Sequence, residues 1–262
     1  MRSAPRYSTE LRARRPGLAL LSELKEAAFN HGYRLDRGEA DGWFYFTSDV
    51  NVPGEVGLAV AQSGDTWYLA VEHPGVAAEL VASTATPVPA GKIAAFGFGA
   101  QSDLREALHR TYDLAKSLPS LPLSEFEAEL RFLGQTEVEQ WARRRVGQNV
   151  FRRALLVYWD GRCPLTAITE PALLRASHII PWAECTSDAQ RLDVHNGLLL
   201  SAHWDAAFDA GLISFDDAGG LLVAHKLSSA ALRALSVEGL NHLTLQPGHL
   251  PNLAWHRNRN GF

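Results

Sequence analysis

Leu173-Leu174-Arg175-Ala176-Ser177-His178-Ile179-Ile180-Pro181-Trp182 and, after a short gap, His195-Asn196-Gly197-Leu198-Leu199-Leu200-Ser201-Ala202-His203-Trp204-Asp205-Ala206-Ala207-Phe208-Asp209-Ala210-Gly211 form the stretch from which the rest of the chain is read. The first apolar run carries a histidine near its end and must stop before Pro181, which cannot donate to a ladder. Asn196-Gly197 is a turn signal that opens the second apolar run. A helix-like segment with His203, Asp205 and Asp209 follows. The spacing predicts two short strands and a helix.

Histidine, asparagine and a further ligand-type residue so close together are the parts a one-metal phosphodiester hydrolase needs. Hydrolysis calls for an activated water, positive charge on the crowded phosphate oxygens and help for the departing sugar oxygen. His178 is the expected general base: it ends a strand, its side chain can meet solvent, and an imidazole near its ordinary pKa of about 6.5 takes a proton at neutral pH. The alternative is a partly buried histidine bonded within a turn. Asn196 serves a turn in either case, and its amide can bridge the loop and hold the histidine's backbone. Asp205 and Asp209 are four apart, so their carboxylates share one helix face and repel each other until a cation joins them. Oxygen ligands of this kind favour magnesium or manganese. Alternatively, Asp209 braces the helix end. His203 lies about 200° around the helix from Asp205, so both serve one ion only if the helix starts between them.

The 262 residues, 46% hydrophobic and 21% charged, are those of an ordinary globular chain of one large or two ordinary domains. No apolar run approaches the roughly 18 residues of a membrane span. The basic N-terminus (Arg2, Arg6, Arg12, Arg14, Arg15) lacks the apolar core of a signal peptide. Two cysteines, Cys163 and Cys185, make neither a disulfide framework nor a zinc-binding pair, which points to a reducing cytoplasm. The net charge of −4 argues mildly against a nucleic-acid partner, but its distribution argues the other way. Arg143-Arg144-Arg145, Arg152-Arg153, Arg162 and Arg175 crowd the approach to the motif, and clustered arginines can track a phosphate backbone. Arg144, Arg152, Arg153, Arg162 and Arg175 are the candidate DNA contacts; a solvated helix face is the alternative.

Taken in order, residues 18–31 have helical spacing, with Gly32 as the stop. Strands are expected at Trp43–Phe46, Val56–Ala61 and Thr66–Val71, separated by Asn51 with Pro53-Gly54 and by Ser63-Gly64-Asp65, and another within Val88–Phe98 after Pro87. Residues 103–117 return to helical spacing. Pro119 and Pro122 mark a linker, and Ser124 to Glu127 has the form of a capping box, repeated at Thr136 to Glu139. A long amphipathic helix is expected over 137–158, with Val138, Trp141, Val146, Val150, Leu155 and Leu156 on its buried side. Beyond the motif, Leu212–Phe215 and Leu221–Ala224 read as a hairpin, 228–235 as a helix, and the remainder as irregular chain through Trp255-His256-Arg257.

The matching elements, in order, are Cys163 with Thr166, Ala176-Ser177-His178-Ile179, Pro181-Trp182, Asn196-Gly197-Leu198 and Phe208-Asp209-Ala210-Gly211. This set resembles the HNH (ββα-metal) endonucleases, in the branch without zinc-binding cysteine pairs and of restriction type. The likeness covers about residues 147–215. It implies that two strands and a helix clasp one divalent ion, that the substrate is double-stranded DNA, that His178 matches the base and Asn196 the middle asparagine, and that Asp205, or else His203, takes the third position. Many members carry Asp or His directly before the base, where this chain has Ser177.

The fold class is then α+β: a mixed α/β module with an antiparallel sheet over residues 1–120, and a long connecting helix leading into a ββα-metal nuclease domain within 121–262. The first module would choose the DNA, with Trp43, Phe44, Tyr45 and Phe46 beside Trp67-Tyr68 either stacking on a modified base or forming core. A modification-dependent restriction endonuclease is the specific hypothesis, and cutting both strands of a palindrome would call for a homodimer. Against it stand a non-specific or structure-specific nuclease and a non-catalytic DNA-binding protein with a degenerate motif.

Overall fold

The computed structural model describes residues 16–61, 65–85, 88–131, 137–235 and 242–262. The basic N-terminal arginines, the Ser63-Gly64 turn, Pro87, Thr136 and the side chains of Glu137, Val138 and Glu139, read above as a strand-breaker, a cap and a buried position, lie outside that description. The chain divides into two compact units, residues 1–115 and 116–262.

The first unit begins with helix α1 (Leu18–Asn30), which buries Leu24, Ala27 and Ala28 and ends before Gly32, whose φ of 90° suits glycine. Strands β1 (Leu35–Ala40), β2 (Trp43–Thr47), β3 (Val56–Val60) and β4 (Trp67–Val71) follow, then α2 (Pro74–Glu79), β5 (Ser83–Thr84), β6 (Ala94–Phe98) and α3 (Gln101–Ser117). They make an antiparallel sheet in the order β1-β2-β3-β4-β6-β5. Strand pairing puts Phe44, Phe46, Val56, Leu58, Leu69 and Phe96 on one face. The other face pairs aromatics with small residues. A Cβ on Gly57 would stand 3.1 Å from the Tyr45 ring and 3.3 Å from that of Trp43, so the rings lie across the glycine. Trp43, Phe44, Phe46, Trp67 and Tyr68 are buried in consequence. Of the two readings of these aromatics, stacking on a modified base or forming core, their burial favours core.

Three elements of this unit had no sequence expectation. β1 is exposed throughout, with a register shift between Asp36 and Gly38, and so lacks the alternation that marks a half-buried strand. It joins β2 through Asp41-Gly42, both at positive φ, the geometry of a type I′ hairpin turn. α2 and β5 are too short for a period to show, and the expected strand within 88–98 is confined to β6.

The second unit opens with α4 (Ser120–Leu130) and α5 (Glu137–Tyr158). Ser124 therefore lies inside a helix and does not cap one, and Pro119 and Pro122 begin that helix where a linker was expected. Proline is tolerated in a first turn because the N–H it lacks has no intrahelical partner there. Along α5 the buried side chains are Val150, Phe151, Ala154, Leu155 and Tyr158, while Trp141, expected inside, is 62% exposed. Next come β7 (Leu174–His178), α6 (Asp188–Leu192), a short turn at Val194–Asn196, β8 (Gly197–Ser201) and α7 (Ala202–Asp209). The hairpin β9 (Ile213–Phe215) and β10 (Leu221–Val223), α8 (Ser229–Ala234) and α9 (His249–Asn260) complete the unit.

α9 replaces the irregular tail expected from the sequence. Pro251 sits in its first turn, and His256 anchors it: the ring stacks on Phe208 at 3.9 Å, donates to Phe208 O at 3.1 Å and lies 3.0 Å from Ser214 Oγ. The core of the unit joins Cys163, Leu165, Leu174, Leu198 to Leu200, Trp204, Phe208, Ile213, Phe215 and Leu253. Cys163 and Cys185 are buried free thiols. The structure is thus mixed α/β with an antiparallel sheet, as the residue pattern predicts, and among the described residues no helix is long and apolar enough to cross a membrane.

Candidate active site on two strands and a helix

β7 and β8 pair antiparallel, Ser177 opposite Leu198 and His178 opposite Gly197. Side chains alternate across such a pair, so Arg175 and Ser177 face one way and Leu174, Ala176 and His178 the other. Asp205 of α7 lies by Ser177 and Arg175 on the first face, and Phe151 of α5 lies against His178 and Gly197 on the second. The motif thus has two chemically distinct sides.

On the α7 side, Trp204, Ala207 and Phe208 turn inward, leaving Asp205 and Asp209 one turn apart on the flank. Burial raises the Asp205 carboxyl above the usual carboxylate range, and the Ser177 hydroxyl and the Arg175 charge act against that rise. Asp209, although exposed, is also raised, by partial desolvation first and by the negative charge of Asp205 second. The Ser177 hydroxyl is buried and close enough to favour the Asp205 carboxylate, yet completes no hydrogen bond of normal geometry. Asp205, with the Ser177 hydroxyl beside it, and Asp209, whose ionisation the Asp205 charge opposes, are a set of oxygens suited to a cation.

His203 does not join them. α7 starts at Ala202, ahead of His203, so histidine and aspartate ride the same helix about 200° apart, and His203 is exposed. Among the described residues no three His, Cys, Asp or Glu side chains converge on one point. Two carboxylates and a hydroxyl still fit magnesium or manganese, which keep several waters and need few protein ligands.

On the α5 side, the His178 ring stacks on Phe151 with centroids 3.8 Å apart and meets the edge of Trp182 at 5.8 Å. Gly197 makes room for this stack: a Cβ there would come within 2.4 Å of Phe151 Cζ. Nε2 lies 2.9 Å from the Arg191 carbonyl oxygen, which can only accept, so Nε2 carries the proton and Nδ1 keeps its lone pair. Burial lowers the pKa to about 4, with the carbonyl bond acting against that and the charge of Arg144 adding to it. The solvent-facing imidazole of ordinary pKa expected from the sequence is therefore corrected. His178 is the partly buried, loop-bonded histidine of the alternative reading: it is neutral at pH 7 and makes its contacts with α5 and the loop rather than with α7.

Asn196 is fully buried and closes the intervening loop. Its Oδ1 accepts from Ile180 N at 2.8 Å, and its Nδ2 donates to the carbonyls of Ile180 and Gln190, each at 3.2 Å. Arg191, which carried no sequence signal, braces the same loop through Trp182 O and Cys185 O at 3.1 and 2.7 Å. Phe151 was also missed, because a phenylalanine on a helix announces burial and not the ring it supports.

The arginines separate into two groups. Arg152 donates to the carbonyls of Leu174 and Pro171, and Arg153 pairs with Glu125 and Glu129, so both are committed within the unit. Arg175 donates to the carbonyls of Ala172 and Leu174 beside Asp205. Arg144 and Arg162 are exposed and make no ion pair among the described residues.

Residues 163–216, which run from Cys163 through β7, β8 and α7 to the end of β9, match the family model HNH_2, described as HNH endonuclease. No curated protein matches the chain.

Proposed function

We propose that this chain, which carries an HNH endonuclease domain at residues 163–216, is a divalent-metal-dependent endonuclease that hydrolyses phosphodiester bonds in DNA. The observation that carries the reading is the Asp205 and Asp209 pair on α7, set against the buried Ser177 hydroxyl of β7 within the matched segment. Those oxygens would hold magnesium or manganese, which when bound supplies positive charge to the phosphate oxygens and the departing sugar oxygen.

In this reading His178 is the general base. Its tautomer leaves Nδ1 as the lone-pair nitrogen that takes a proton from the attacking water, and Asn196 holds the chain that presents it. His178 ends β7 and Gly197 begins β8, so in this reading the phosphate would have to lie at that end of the two-stranded sheet to reach both the base and the acidic pair. In-line attack then leaves a 5′-phosphate and a 3′-hydroxyl. Arg175 moderates the charge environment of Asp205.

Nicking of supercoiled plasmid with magnesium, with manganese and with EDTA tests the proposal, using Asp205→Asn and His178→Ala beside the wild type. Metal-dependent nicking lost in both variants supports it; wild type inert with either ion overturns it. The placement of His178 on the face away from α7 favours a second reading, a DNA-binding protein with a degenerate motif. That reading requires DNA binding without nicking. A restriction-type role with the first unit choosing the DNA, and a homodimer for double-strand cutting, are finer proposals. Digestion of modified and unmodified DNA side by side, with the size of the complex in solution, decides them.

A further inference from the structure

α5 carries a feature that the roles above leave unused. Trp141, Arg144, Arg145 and Gln148 fall at intervals of three and four and line one open cleft of about 240 Å3. Trp141 is 62% exposed, unusual for the largest apolar side chain. The Arg145 guanidinium lies over its ring, 5.2 Å from the centroid. Arg144 is exposed and lies near enough to His178 for its charge to be felt there. Three positions beyond Arg144, the site of a Cβ on Gly147 falls against the Trp182 ring, and further along the helix Phe151 lies under His178. Ten residues of helix span ~15 Å, about four base-pair steps of a duplex.

We propose that this face of α5 is a DNA contact, in which Arg144 and Arg145 bind phosphates of one strand a few nucleotides from the cleaved bond and Trp141 packs against a sugar or base edge. The inference rests on the nuclease reading for its substrate. Charge complementarity decides the occupant: two guanidiniums without carboxylate partners among the described residues suit a polyanion, and an aromatic between them suits a nucleotide better than a bare phosphate. Gln148 adds a neutral donor and acceptor at the cleft's edge.

The test is binding of a short fluorescein-labelled duplex by the full chain in EDTA, followed by anisotropy over a range of salt. Trp141→Ala and the double variant Arg144→Ala with Arg145→Ala are each expected to weaken binding on the order of tenfold. The double variant should also lower the salt slope by about 2, while Trp141→Phe retains most of the affinity. The face is exposed, so thermal unfolding of each variant should match the wild type. Affinity and slope unchanged in both variants overturn the proposal, as does a change in self-association with DNA binding intact, which would make the face a protein contact. Parallel plasmid nicking separates the two readings. If the wild type nicks while the variants bind and nick equally well, the contact falls and the nuclease stands. If no protein nicks but the variants lose DNA, the contact stands and the nuclease falls.

Discussion

His178 titrates against its own fold. Burial holds its pKa at about 4, below the ordinary 6.5. Between those values the unfolded chain takes up a proton that the folded protein refuses, so stability falls as pH drops through that window, by up to ~3 kcal/mol. Urea unfolding at pH 7 and pH 5 should show a lower midpoint at the acid value, with the difference reduced in His178→Phe. Asp205 and Asp209 act in the opposite sense, because carboxyls whose folded pKa is raised gain stability as pH falls. Removing one of their charges should therefore cost nothing in metal-free buffer. Asp209→Asn is expected to melt at or above the wild-type temperature while needing more magnesium for half-maximal nicking; a lower melting temperature would show that Asp209 braces the helix instead.

The loop between β7 and β8 depends on one amide. Asn196→Ala would leave the Ile180 N–H and the carbonyls of Ile180 and Gln190 without their partner in a buried setting, a loss of ~2–4 kcal/mol. Denaturation by urea measures that loss directly. Gly197→Ala tests the α5 side of the sheet. Its methyl meets Phe151 and Leu155, at 2.4 and 2.8 Å before relaxation, and should destabilise by ~1–3 kcal/mol. Since Phe151 carries the His178 ring, nicking should fall further in Gly197→Ala than in an equally destabilised variant of the first unit. Equal losses in the two would mean that the stack does no more than pack.

At the scale of the molecule, each unit has apolar clusters that close within it: the second around Trp204 and Phe208, the first on its antiparallel sheet. Residues 116–262 expressed alone are expected to unfold in one cooperative step and to nick plasmid with divalent ions, with any preference for modified DNA lost. Circular dichroism with plasmid assays on this fragment checks both; an unfolded or inert fragment would show that the first unit is needed for more than choice.

Local pattern determined much of this protein. The two apolar runs and the spacing of Asp205 and Asp209 put two strands and a helix where they are found, because periodicity acts within a few residues; Gly197, read as half of a turn, is instead extended (φ −152°) and opens β8. The long α5 was legible for the same reason, as were β2 to β4. Where short-range rules were ambiguous they misled: proline in a first turn looks like a breaker, and an exposed edge strand has no alternation to read. Tertiary structure alone decided what each side chain faces. A pleated strand sends neighbours to opposite faces, so whether Ser177 or His178 meets the acidic helix depends on which partner covers which face. The depressed pKa of His178, the brace from Arg191 and the exposure of Trp141 all follow from packing between segments far apart in the chain.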